Sequence, residues 1–101
     1  MRKIEKDTIN AVKNKRNFHM DNMRVEYLCE LDEPLHARME QAKVYLHGNH
    51  IGTYLYRDSQ FHVNRATLQA YPTVTTKSRL RAFGVDVFTS KGKTYLNGGE
   101  V

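Results

Sequence analysis

Residues 42–57 read AKVYLHGNHIGTYLYR, two runs rich in Val, Ile, Leu and Tyr on either side of Gly48-Asn49. Glycine and asparagine both tolerate positive φ, so the pair predicts a two-residue hairpin turn. That turn sets His47 opposite His50, Leu46 opposite Ile51, Val44 opposite Thr53 and Ala42 opposite Leu55. Leu46, Ile51, Val44 and Leu55 then share one face, as a core-covering sheet requires, while Lys43, Tyr45, Tyr54 and Tyr56 fall on the other.

Downstream, RDSQ (57–60) reads as a turn, and QFHVNRATL as a third strand with Phe61 and Val63 inward. Upstream, MRVEYL (23–28) alternates Met23, Val25 and Tyr27 with Arg24 and Glu26, a half-buried strand pattern. CELDEP reads as an acidic loop, and LHARMEQ (35–41) is open between a helical turn and an extended lead-in. VDVFTSKGKTYLNG (85–98) reads as a second hairpin turning at Ser90-Lys91-Gly92. In residues 4–17, Ile4, Ile9, Ala11 and Val12 form an imperfect apolar stripe among lysines. They predict a helix within an N-terminal segment 1–22, with Asp7 or Thr8 able to cap a shorter version. NFHMDN ends it, because Asn and Asp side chains compete for the backbone. The expected architecture is one α+β domain over 1–101 with its core unit at 42–98. It holds a small antiparallel sheet of five to six strands in two hairpins, a covering helix near 75–83 and the N-terminal helix.

A chain of 101 residues, 40% hydrophobic and 27% charged, has the make-up of a single soluble domain. No apolar run approaches the roughly 20 residues that cross a bilayer, and MRKIEKDTIN lacks the apolar stretch of a secretory signal. The single cysteine, Cys29, allows no internal disulfide and suits a reducing cytoplasm. A net charge of +5 and a pI near 9.5 point to an anionic partner. The charge is uneven. Residues 1–24 carry +4, residues 25–43 carry −3 and residues 44–101 carry +4.

TVTTKSRLRAFG (73–84) is freshly started after Pro72. Thr75 is the expected N-cap, bonding the amide of Lys77 or Ser78, and Gly84 the left-handed terminator. On a helical wheel Thr76, Leu80 and Phe83 line one side and Lys77, Ser78 and Arg81 the other, with Arg79 at the boundary. Two readings stay open. Free amides, hydroxyls and cations match phosphate chemistry at Thr75, Thr76, Lys77, Ser78, Arg79 and Arg81, with Arg57 and Arg65 in support. The same pattern also suits any well-capped surface helix.

Leu46 to Ile51 (LHGNHI), Thr73 to Leu80 (TVTTKSRL) and Tyr95-Leu96 together resemble a small domain that recurs among bacteriophage-encoded proteins. The resemblance spans roughly residues 42–98. The chain departs from it in having no tryptophan, offering Tyr71 and Tyr95, and in Arg81 where that pattern has Asn. The resemblance implies a phage accessory protein in the infected cell's cytoplasm, serving host takeover, and brings no particular activity with it.

No paired-carboxylate, Gly-rich phosphate or zinc-water motif is present, and nothing orients a base beside Cys29, so no enzyme activity, metal or cofactor is expected. His47, His50 and His62 lack the further ligands of a zinc site. Tyrosines interleaved with cations, at Tyr54, Tyr56, Arg57 and Arg65, can stack single-stranded bases on a sheet face. The leading expectation is therefore a non-enzymatic protein binding nucleic acid, DNA or RNA, through a basic helix and sheet face. The alternative is an inhibitor of a host protein, docking through Tyr54 and Tyr56 or the acidic Glu30, Asp32 and Glu33. A homodimeric structural module, paired through a sheet edge, is the third.

Overall fold

In the computed structural model, which describes residues 2–32 and 37–101, the element order is α1 (Lys3–Lys13), β1 (Phe18–Met20), β2 (Met23–Asp32), β3 (Ala37–Leu46), β4 (Asn49–Leu55), β5 (Gln60–Val63), α2 (Arg65–Ala70), α3 (Val74–Ala82), β6 (Val87–Ser90), β7 (Lys93–Leu96) and β8 (Gly99–Glu100). The α+β class holds, with the strands divided between two antiparallel sheets. One is five-stranded in the order β1-β2-β3-β4-β5, and the other is three-stranded, β6-β7-β8. Residues 35 and 36 of the ambiguous stretch lie outside the described residues, and 37–41 form part of β3. Glu33 and the side chain of Asp32 also lie outside them. Among the described residues no helix is long and apolar enough to cross a membrane.

The central hairpin forms, but around His47-Gly48 and not Gly48-Asn49. His47 (φ 52) and Gly48 (φ 80) both take positive φ, the signature of a type I′ turn. Leu46 therefore faces Asn49, and Tyr45, not His47, faces His50. The ladder then slips. Val44 pairs with Gly52, which leaves Ile51 as the extra residue of a β-bulge on β4.

That slip reverses half of the strand. Without it, Thr53 and Leu55 would share the core face with Val44. With it, Ala42 pairs with Tyr54 and Lys43 with Thr53. Tyr54 and Tyr56 accordingly turn inward and pack against the core, correcting their expected place on the open face. Leu55 turns outward. Ile51 and Gly52 both stay buried across the bulge. Phe61, on the neighbouring strand, lies over Gly52, where a Cβ would sit 2.4 Å from its ring and 2.8 Å from the carbonyl of His62. Glycine is the one residue that lets the aromatic close over the bulge.

The core gathers Ala11 and Val12 of α1, Leu68 of α2, Leu80 of α3 and Val87 and Leu96 of the small sheet. They meet Met23, Val25, Ala42, Val44, Leu46 and Ile51 of the large one. The three described helices thus join the same face of the five-stranded sheet. The N-terminal helix is shorter than expected and is not capped by Asp7 or Thr8. Its first turn is closed by the Glu5 carboxylate accepting from the Arg2 amide at 3.1 Å, and the Thr8 hydroxyl donates to the Ile4 carbonyl. The third strand stops at Val63, because Asn64 caps α2 by accepting from the Thr67 amide at 3.2 Å. The second hairpin turns through Lys91 (φ 52) and Gly92 (φ 77), within the expected stretch.

Two substitutions test this packing by urea denaturation. Gly52→Ala is expected to destabilise by about 1–3 kcal/mol through overpacking against Phe61 and the His62 carbonyl. Leu80→Ala, at a fully buried site, is expected to cost about 2–5 kcal/mol. An unchanged midpoint for either would contradict the arrangement.

Candidate functional site

The helix in 73–84 runs over Val74–Ala82, its cap two residues before the expected one. Thr73, not Thr75, is the N-cap, its hydroxyl oxygen accepting from the Thr76 amide at 3.1 Å and its hydroxyl donating to Thr76 Oγ1 at 3.0 Å. Gly84 (φ 84) ends the helix in the left-handed region as expected. Thr75 is half-buried and Thr76 is buried.

Four polar side chains of α3, Lys77, Ser78, Arg79 and Arg81, bond to other parts of the fold. Lys77, 6% exposed, donates from Nζ to Thr89 Oγ1 on β6. Ser78 Oγ donates to Glu5 Oε2 at 2.7 Å, and Arg79 Nη1 to the same oxygen at 2.8 Å. Arg81 stays exposed yet donates to the Val87 carbonyl at 3.0 Å. Phe83 stacks on Phe61, centroids 4.5 Å apart and planes 14° apart. Lys77 and Ser78 are therefore not an outward face. A wheel assumes one covered side, whereas α3 lies between α1 and the small sheet and is covered on two. A phosphate held by Lys77, Ser78 or Arg79 would have to displace these bonds.

The Glu5–Arg79 pair is almost fully buried, at 5% and 4% exposed. Burial alone pushes the Glu5 carboxyl up. The hydrogen bonds from Ser78, the Arg2 amide and Arg79, with the charge of Arg79, outweigh it and hold the group below its ordinary value of 4.5. A second polar joint lies at the other end of α1. Tyr27 donates to Glu40 Oε2 at 2.7 Å, and Lys15 sits 2.6 Å from the same oxygen and 5.2 Å from the Tyr56 ring centroid. The Tyr56 hydroxyl donates to the Val12 carbonyl, and burial pushes its pKa up to about 12.

What the fold leaves open is the other face of the large sheet. None of its described side chains is fully buried, while the sheet's core residues all lie on the opposite face. Strand pairing aligns His19, Arg24, Tyr45 and His50 in one cross-strand row. The Arg24 guanidinium lies 4.1 Å from the Tyr45 ring centroid, and the Tyr45 and His50 rings are 5.3 Å apart. The next row is Glu26, Lys43, Thr53 and His62, and the third is Leu28, Gln41, Leu55 and Gln60.

His50 is anchored from both ring nitrogens. Asn64 Nδ2 donates to Nδ1 at 3.2 Å, which leaves Nε2–H to donate to Thr53 Oγ1 at 2.9 Å. Burial foremost, and the charge of Lys43, lower its pKa, so the ring is neutral at pH 7. Arg57 and Arg65 are exposed, Arg57 in the β4–β5 turn and Arg65 at the first turn of α2. Among the described residues no hydrogen bond or ion pair links either to Lys77, Ser78, Arg79 or Arg81. Glu30 is exposed on the open face, apart from Tyr54 and Tyr56. Sequence periodicity places Tyr45 and Lys43 on this face. The Arg24 and His50 contacts require the β2–β3 register and the true turn.

Replacing Arg79 with Met should cost about 3–5 kcal/mol, because it leaves the Glu5 carboxylate buried without its cation. The joint Glu5→Leu, Arg79→Met variant should recover much of that loss. Because Glu5 titrates lower when folded, its stabilisation is present above the ordinary carboxylate range and is lost as pH falls through the folded value. Thermal melts from pH 7 to 3 should therefore fall less steeply for Glu5→Gln than for the wild type. Equal slopes would contradict the assignment.

No curated protein and no solved structure matches the chain. A family model described as the Kyanoviridae Gp96 protein matches residues 1–101. The chain therefore belongs to the Kyanoviridae Gp96 family of phage proteins.

Proposed function

We propose that this phage protein binds single-stranded nucleic acid on the open face of its five-stranded sheet. The observation that carries the reading is the row His19–Arg24–Tyr45–His50, a cation stacked on an aromatic ring beside a neutral imidazole, on a face that no helix covers among the described residues. Flat rings on an open sheet accept bases of any sequence, while Arg24 and Lys43 meet phosphates. Glu26 lies directly across from Lys43, so the electrostatic term is small and binding is expected to be weak. The basic helix adds little, since Lys77, Ser78 and Arg79 serve the fold. The protein acts without catalysis, in the cytoplasm of the infected cell.

A second reading, inhibition of a host protein, draws on the far end of the same face. There Leu28 and Leu55 lie near Met39, which is 51% exposed, and Glu30 pairs with Met39 across the strands. Apolar side chains with an acidic rim suit a protein partner better than a polyanion.

Fluorescence anisotropy with labelled oligo(dT) and oligo(U) at low ionic strength tests the first reading. Tyr45→Ala should weaken binding by about 1–3 kcal/mol, the value of one stacked base. Arg24→Ala should flatten the slope of log affinity against log salt by about 0.7. Lys93→Ala, on the small sheet, should leave both unchanged. Absence of salt-sensitive binding by the wild type would sink this reading, and nuclease-resistant capture of a host protein, lost in Leu28→Asp, would establish the second.

A further inference from the structure

We propose that the outer edge of β5 is a docking slot for an extended segment of a partner protein, bound as an added strand with a carboxylate held by Arg65. Among the described residues β5 pairs only with β4. The Asn64 amide donates to the Ile51 carbonyl at 2.9 Å, which sets the phase of the ladder. Antiparallel residues alternate between facing the partner strand and facing away, so the N–H and C=O groups of Phe61 and Val63 point outward. They open into a cleft of about 520 Å3, within the ~300–1,000 Å3 range of binding clefts.

The cleft lies between β5 and a second wall formed by residues 83–85 and 96–97. Two outward donors and two outward acceptors on one short edge fit another backbone in extended form and do not fit a sugar-phosphate chain. The half-buried Phe83 and Val85 give alternate side chains of that strand an apolar contact in a cleft that is otherwise mostly polar. Arg65 lines the cleft, is exposed and has no acidic partner among the described residues. A carboxylate on the incoming segment completes it. The cleft adjoins the open face at Gln60 and His62 but includes none of His19, Arg24, Tyr45 and His50, so the two sites fail or stand independently.

The test begins with a random heptapeptide library displayed on phage and selected on the full-length chain. Enriched peptides are expected to alternate apolar residues and to carry Asp, Glu or a free C-terminus. A synthetic consensus peptide should slow amide hydrogen exchange at Phe61 and Val63 at least about tenfold, leaving His62 and Asn64 unchanged. The same peptide N-methylated at alternate amides should not bind, a control on the ligand that is independent of any variant's folding. Arg65→Glu should weaken the unmodified peptide about tenfold or more. Failure to enrich any peptide, or binding that leaves Phe61 and Val63 exchange unchanged, overturns the proposal. Slowed exchange on raising protein concentration alone would overturn it in favour of a second copy, and slowed exchange on adding oligo(dT) in favour of nucleic acid.

Discussion

The buried pair of Glu5 and Arg79 joins the first helix to the third, 74 residues apart in sequence, and the rest of the molecule is arranged around that joint. One carboxylate oxygen takes bonds from both Ser78 and Arg79, and the other accepts from the Arg2 amide, so a single glutamate closes its own helix and clamps another. With α3 held on that side, Lys77 and Arg81 reach the opposite way to Thr89 and Val87 and tie in the small sheet. Leu80 fills the core between them. A domain of this size has little apolar area to spare, and directional polar bonds orient elements that burial alone would leave free to slide. Among the described residues Arg79 Nε is buried without a bond of its own, so the arrangement depends on the Nη1 contact to Glu5, since either charge left alone in that setting is costly.

The second constraint is the bulge at Ile51. It occurs where Phe61 needs room over Gly52, and its effect reaches the whole end of β4. Shifting the ladder by one residue sends Tyr54 and Tyr56 to the core, where Tyr56 meets α1 and Tyr27, and leaves Thr53 and Leu55 outside. A strand that alternates strictly cannot keep Ile51, Tyr54 and Tyr56 on one side. The bulge makes that possible, and it clears the outer face of two tyrosines that would otherwise lie in the rows of Gln41 and Met39.

The face proposed above for binding is thus distinct from the side chains that hold the fold together. Lys77 and Arg79 of α3 are buried in bonds within the fold, and the face left over is a sheet surface whose rings are held by side-chain contacts within that same face. Rigid platforms of this kind bind with little ordering cost, which suits a small protein with few anchoring charges.

By itself the sequence determined the α+β class, both hairpins, the helix ending at Gly84 and the core positions Leu46, Val44, Ile51 and Leu80, because these rest on local periodicity and on residues that tolerate positive φ. It also placed Tyr45 and Lys43 on the open face. It did not determine the turn within LHGNHI, since His47 takes positive φ as Asn49 would, and the choice is made by how β4 packs beneath Phe61. Nor did it distinguish a solvated cationic helix face from a bonded one: Lys77 and Arg79 look alike in either role until α1 and β6 are brought to them. Only tertiary structure decided that, because a hydrogen bond across 74 residues leaves no mark on the spacing of either partner.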